Sequence, residues 1–415
     1  MFKTKRNIYM LYFYIFFAQL FFDRALWVIY LGDRGMTFGQ IGLLEAFLHL
    51  AIVLFEVPTG MIADLYGRKV SLVIGNVFSI LYGLFMMISG TFSMFTLAFL
   101  SMGMMVTFHS GAEQAFAYDT LKNENREKDY TKVIGSMTAL ALLSLSLAKF
   151  LGGFMADISW GWVYGTTIFT HVLALIPLFL LKEPEREKTE DIGGRWYNQW
   201  VHQFKLGLVV WRENSVIHRP VVLFILASAV MVIIVFYGQE YFIQLGYSSV
   251  VVGAVFTVEG LLGVVMAKIA YRVEKRFKFF NILYYGLGLF LLFFILFIFA
   301  MDWAILLSFL FLAQLLSLFE PIFSSFVQDL LKSNVRSTFF SLIGLMESFI
   351  IMISFPVFGF TVERTGFTSG FAGLLVIFVM AYSLSFKNLE RVDAKSFPLK
   401  GEALFSSLCF TAGFR

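Results

Sequence analysis

The stretch GMIADLYGRKVSL, Gly60 to Leu72, sets an aspartate between two glycines and two basic residues directly after the second, and interrupts two long apolar runs. Glycines at both ends of so short a segment let two antiparallel helices join tightly, because glycine adopts backbone conformations that strain other residues. The flanking runs, 38–62 and 71–91, are each long enough to cross a bilayer core, which takes roughly 20 apolar residues per helix. Moving outward, further apolar runs fall at 8–31, 94–118, 132–157, 160–181, 220–245, 249–272, 279–300, 303–329, 337–362 and 366–387. With the first two they make an all-α membrane protein of twelve transmembrane helices. The composition agrees: 59% of residues are hydrophobic, 52 of the 415 are phenylalanine and only 14% are charged, against about a quarter in soluble domains.

Charge orients the chain. Lys3, Lys5, Arg6, Arg68, Lys69, Lys122, Arg126, Lys128, Lys182, Lys275, Arg276 and Lys387 fall on alternate connections, whereas the other connections hold little beyond Arg34 and Arg364. The positive-inside rule then places both termini in the cytoplasm of a multi-pass cell-membrane protein, with a bacterial plasma membrane expected. The N-terminal apolar run is too long for a signal-peptide core and is read as a retained first span. The single cysteine, Cys409, excludes a disulfide framework or a CxxC metal site. A net charge of +4 is explained by this topology, so no nucleic-acid partner is expected.

The longest connection divides the spans six and six, giving units at 1–182 and 220–388 with a linker at 183–219 and a tail at 389–415. The linker begins with the charged run KEPEREKTEDIGG and continues with Trp196, Trp200, Phe204, Leu208 and Trp211 at helical spacing. Two readings stand: a helix lying in the membrane interface, or one packed on the bundle. The halves read as copies of each other at an offset near 210. Asp119, Arg126 and Gly135 match Asp329, Arg336 and Gly344, and IGLLEAF at Ile41 matches VGAVFTV at Val252. Repeats with a binding site between them are a common build for secondary transporters.

Ionisable residues inside the spans supply the candidate site: Asp23, Arg24, Glu45, Glu113, Lys149, Glu259, Glu320 and Glu347 are the candidates for binding substrate and protons. Glu56, Glu240 and Lys268 also lie within spans, while spans 3, 6, 9 and 12 have no such residue in their interiors. Insertion of each costs about 2.5 to 3.5 kcal/mol at mid-membrane, so they are expected to face one another or water, with the charge-free spans against lipid. Depth pairs Arg24 with Glu45, the alternative being that Arg24 snorkels outward. On a continuous helix Asp23 shares a face with Tyr12, Gln19, Trp27 and Tyr30, which reads as a cavity wall. Glu320 and Glu347 are level with each other and are candidate proton carriers; helix–helix hydrogen bonding is the alternative for each.

The Gly60–Leu72 stretch resembles the loop signature of the major facilitator superfamily at Gly60, Asp64, Gly67, Arg68 and Lys69. The resemblance implies two pseudo-symmetric six-helix bundles around a central cavity that opens alternately to each side. It also implies that Asp64 bridges in one state to the start of span 11 near Ser337 and Thr338, with Arg126 nearby. Family drug exporters carry G-x-x-x-G-P-x-x-G-G in span 5. SLSLAKFLGG, Ser144 to Gly153, keeps only Gly152 and Gly153 of it, and Lys149 is either a coupling group or the partner of an acid such as Asp23 or Asp157. The expected activity is proton-coupled export of a small cationic or neutral amphipathic compound. An importer of sugars, peptides or other metabolites and a non-transporting sensor on the same fold are the alternatives.

An enzyme is not expected, because His49, His109, His171, His202 and His218 form no HExxH and no GxSxG occurs. A nucleotide-driven pump would need a GxxxxGK[ST] loop, and none is present. The expected partners are a small-molecule substrate, protons and the lipid bilayer, acting on a monomer with no cofactor and no metal.

Overall fold

A computed structural model describes residues 2–123, 125–185, 196–213, 215–299, 301, 303–331 and 333–386. The linker's charged run beyond Glu185 and the tail at 389–415 lie outside the described residues. Among those described there are helices and turns but no strands.

Among the described residues, eleven segments are long and apolar enough to cross a membrane. They are spans 2 (Phe38–Tyr66), 3 (Arg68–Ile88), 4 (Phe92–His109 with Ala112–Lys122), 5 (Tyr130–Ile158), 6 (Trp160–Leu180), 7 (Ser215–Gln244), 8 (Ser249–Arg276), 9 (Phe279–Phe299), 10 (Trp303–Leu330), 11 (Ser333–Thr365) and 12 (Phe367–Phe386). Span 1 completes the twelve, divided into Phe2–Ala18 and Trp27–Asp33. Spans 3, 6, 9 and 12 present rows of exposed apolar side chains, for example Val77 and Leu84, Phe169 and Ile176, Leu289 and Leu292, and Val376 and Met380. Such surface is at home only against lipid.

Two spans expected to run unbroken are interrupted. Span 4 breaks at Ser110–Gly111, where Gly111 takes the left-handed conformation with φ +67°. Span 1 opens between Gln19 and Leu26 without any proline or glycine. Side chains of span 6 satisfy part of the freed backbone: Thr167 Oγ1 accepts from Phe22 N at 3.4 Å, and Thr170 Oγ1 donates to Leu20 O at 3.4 Å. Non-helical backbone at membrane depth persists only when buried and bonded in this way. Gly152 makes room for the break, since a Cβ there would lie 1.9 Å from Phe22 O.

The halves meet along spans 2 and 11 and along spans 5 and 8, two pairings that the internal repeat exchanges. Both glycines of the matched IGLL and VGAV segments are contact points. A Cβ on Gly42 would lie 2.6 Å from Pro356 Cα, and one on Gly253 2.7 Å from Lys149 O. Gly153, kept from the span 5 pattern, would come within 2.8 Å of Ser249 O. These contacts lie toward the face opposite the basic connections, called here the far face. Tyr237 adds a hydroxyl donated to Phe38 O at 2.8 Å, and Gly39 N donates to Glu363 Oε1 at 2.6 Å. The far face is closed.

The Gly60–Leu72 turn is held by a residue outside it. Gly67, at φ +119°, points its backbone so that Arg68 N and Lys69 N donate to the two carboxylate oxygens of Glu183 at 2.7 and 2.8 Å. A carboxylate on the first amides of span 3 satisfies orphan donors and complements the helix dipole. Lys69 Nζ in turn donates to Phe179 O and Leu181 O at the end of span 6, at 2.9 and 2.8 Å. A Cβ on Gly67 would meet the Glu183 carboxyl at 2.8 Å, so Gly67→Ala should destabilise the protein by about 1 to 2 kcal/mol. Thermal unfolding in detergent measures this. Gly60→Ala, with nothing within 4 Å of a Cβ, is the neutral comparison.

Candidate functional site

A cavity of about 860 Å³ lies between spans 2 and 11 and reaches the basic face. Among the described residues its acids are Glu45, Glu56, Asp64 and Glu347, and no described lysine or arginine lines it. Apolar walls come from Ile52, Val232, Phe236 and Phe340, with Phe204 of the linker helix Trp196–Glu213 at the mouth.

Each acid has a distinct setting. Glu45 is buried and lies 3.7 Å from Nε2 of His49, one turn on. Glu56 accepts from Ser110 Oγ at 2.6 Å, so the break in span 4 supplies a donor to span 2. The Ser228 hydroxyl of span 7 donates to Glu347 Oε1. Asp64 pairs with Arg68 at 2.8 Å within its own turn, and Arg126 pairs with Asp129 at 2.6 Å. Among the described residues no bond joins Asp64 to span 11, though Asp64 and Thr338 both line the cavity. The side chain of Ser337 lies outside the described residues.

Several expected placements are corrected. Arg24 does not pair with Glu45: its guanidinium lies over the Phe21 ring, 5.4 Å from the centroid, and 3.7 Å from Met102 Sδ. The depth argument assumed a continuous span 1, and the interruption turns Arg24 elsewhere. Asp23, Trp27 and Tyr30 are sealed at 0 to 1% exposure and do not line the cavity. Asp23 instead accepts from the Tyr82 hydroxyl of span 3. Lys149 pairs neither with Asp23 nor with Asp157 but with Glu259 of span 8 at 3.1 Å, across the interface between the halves. Glu320 is exposed on span 10 and lies outside the cavity lining, yet it is near enough to the cavity's Glu347 for the two like charges to act on each other. Glu113 sits in the first turn after the span 4 break, where its charge suits the helix N-terminus.

The linker helix packs on the bundle rather than lying free of it. Gly207 is buried against Leu342, and Trp211 stacks on His218 with centroids 4.4 Å apart. The side chains of Trp196 and Trp200 lie outside the described residues. Glu56, His49, Ser228 and Glu183 were not singled out as site residues. His49 and Glu56 stand on the Glu45 face of span 2, one and three turns along respectively, a periodicity that could have found them.

A second cavity of about 650 Å³ on the far face is lined by Asp33, Glu240 and Glu363 among others. Asp33 accepts from Trp160 Nε1 at 2.9 Å.

Twelve spans packed as two matched sixes thus surround an acid-lined cavity that is closed at one face and open at the other. The sequence profile of the Major Facilitator Superfamily matches residues 8–356, and the chain belongs to that family. Among curated relatives, the MFS-type transporter YxaM of Bacillus subtilis (strain 168) is 26% identical over 259 residues, 61% of this chain and 62% of the relative. The quinolone resistance protein NorA of Staphylococcus aureus is 26% identical over 187 residues, 44% of this chain and 47% of NorA. The matched region thus spans less than two thirds of either relative. Among solved structures, the nucleoside transporter NupG superposes with a TM-score of 0.75 at 15% identity, covering 93% of this chain and 100% of that one. The D-xylose-proton symporter gives 0.70 at 15%, covering 92% and 96%. At that identity the likeness concerns the fold alone.

Proposed function

We propose that the protein is a proton-coupled exporter of small amphipathic compounds, cationic ones above all, whose two units (1–182 and 220–388) rock about the cavity. The basic face is the cytoplasmic side of the cell membrane, so the cavity faces the cytoplasm. The observation that carries this reading is the lining itself: among the described residues it has four carboxylates, no lysine or arginine, and aromatic walls. Such a surface attracts a positive charge through its acids and accepts a flat apolar body against its rings, and it repels phosphates and sulfates. The similarity to NorA, a quinolone resistance protein, supports export of drug-like compounds. Glu347 is the proposed proton carrier, because it lies in the cavity with a single hydroxyl partner from the same half. Substrate and proton then compete for the same carboxylates.

Vesicles holding the reconstituted protein and an internal pH dye test this. Under an imposed pH gradient, a lipophilic cation such as ethidium should drive proton movement, and Glu347→Gln should reduce it about tenfold or more. Sugar-driven proton movement with no response to ethidium would replace the reading with an importer. Ethidium flux without protons would remove the coupling.

A further inference from the structure

Gln239 of span 7 is fully buried and spends both ends of its amide on the break in span 1. Its Nε2 donates to Arg24 O at 3.1 Å, and its Oε1 accepts from Val28 N at 3.2 Å. In an uninterrupted α-helix those two groups, four residues apart, would bond to each other. The side chain from the second half is thus inserted into one rung of the ladder of the first, a recognised cause of sharp helix interruption. No proline or glycine competes as the cause.

The surroundings tie this rung to both the cavity and a charge. One turn earlier on span 7, Phe236 lines the cavity and meets Trp27 edge-on at 5.2 Å. Inside the break, Asp23 bonds through one oxygen to Tyr82, while its Oδ1 has no hydrogen-bond partner among the described residues. The groups facing it are Arg24 and Tyr30 from its own span, Tyr82 from span 3 and Tyr164 from span 6, whose buried hydroxyl is also unpartnered; Glu45 of span 2 acts on Tyr82 from beyond.

We propose that Gln239 is the positioning residue that couples Asp23 to the movement of the second half. With the far face closed, the amide is inserted, span 1 is interrupted and Asp23 is sealed. When span 7 swings away to open the far face, the amide withdraws, Val28 N and Arg24 O bond directly, and span 1 becomes continuous. Asp23 then turns to the helix face it shares with Gln19, Trp27 and Tyr30 and meets the cavity. The position of span 7 and the charge on Asp23 therefore bias each other, as linkage requires. The inference rests on the proton-coupled reading above.

The test uses the full chain in the same vesicles, with ethidium as the probe. Gln239→Leu removes both bonds at similar volume. Ethidium exchange at equal pH on both sides should stay within roughly threefold of the parent, while ethidium-driven proton movement falls about tenfold and the pH profile of net transport flattens. Asp23→Asn should give the same flat profile, and adding Gln239→Leu to it should change little, because coupled sites are not additive. Gln239→Glu, which keeps the acceptor for Val28 N and loses the donor to Arg24 O, is judged by the same pH profile if the leucine variant does not fold. A parent-like pH profile in a folded Gln239 variant, or effects that multiply in the double variant, would overturn the inference alone. A parent protein that moves no protons with ethidium would overturn it together with the proposed function.

Discussion

Gly359→Val should trap the protein with its far face open. A Cβ at Gly359 would lie 2.2 Å from Phe38 O and 2.5 Å from Tyr237 Oη. Phe38 O belongs to the start of span 2, so the clash is with backbone and is relieved only by parting spans 2 and 11. Overpacking of this kind costs about 1 to 3 kcal/mol, which displaces the balance between the two open states by roughly 5- to 150-fold. Phe38 and Tyr237 are among the contacts that hold the far face shut here, so a form in which spans 2 and 11 part there would escape the penalty. In a Cys409→Ser background, a cysteine at cavity residue Val232 should react with an impermeant maleimide from the basic face in the parent protein. In Gly359→Val that reaction should weaken and labelling from the far face should appear. Unchanged labelling would mean that this close approach does not govern closure.

The second large effect is expected at the pair between the halves. Lys149 and Glu259 retain 13 and 19% of their side-chain exposure and sit 3.1 Å apart on spans 5 and 8. Removing one partner of a buried pair strands the other, which costs more than the pair itself contributes. With the residual exposure here, Lys149→Met or Glu259→Leu alone should destabilise by about 1 to 3 kcal/mol, and the double replacement should regain most of that. A double-mutant cycle on thermal unfolding in detergent reads the coupling directly. Additive losses would show that the two groups act separately. Spans 5 and 8 close against each other at Gly153 and Gly253, so in the single variants a cysteine introduced between them in a Cys409→Ser background should become more reactive to an impermeant maleimide.

Much of this architecture could be read from residues alone. Twelve apolar runs, the sorting of basic residues onto alternate connections and the repeat near 210 residues led to two matched sets of six. The matched glycines Gly42 and Gly253 were visible as a repeat before they were seen to be the points where the halves touch. The acidic character of the interior was legible too, because a carboxylate facing lipid is so costly that its mere presence within a span points it inward. Which acids share the cavity was not. Glu45 and Glu347 line it, whereas Asp23, Glu113 and Glu259 are drawn into local partnerships with Tyr82, a helix N-terminus and Lys149.

The limit falls where a residue's direction depends on a distant segment. Hydropathy and charge act locally and additively against the bilayer, so the chain by itself determined how many times it crosses, which connections are basic and where the polar faces lie. The interruption of span 1 depends on Gln239, more than 200 residues away in sequence. No local signal marks it, since Gln19 to Leu26 contains neither proline nor glycine. Once that amide takes the Arg24–Val28 rung, the angular spacing used to place Asp23 and Arg24 no longer applies, and only the packed structure decides what they face. The same holds for Glu183 at the head of span 3, a carboxylate in a connection whose partner amides lie 115 and 114 positions earlier.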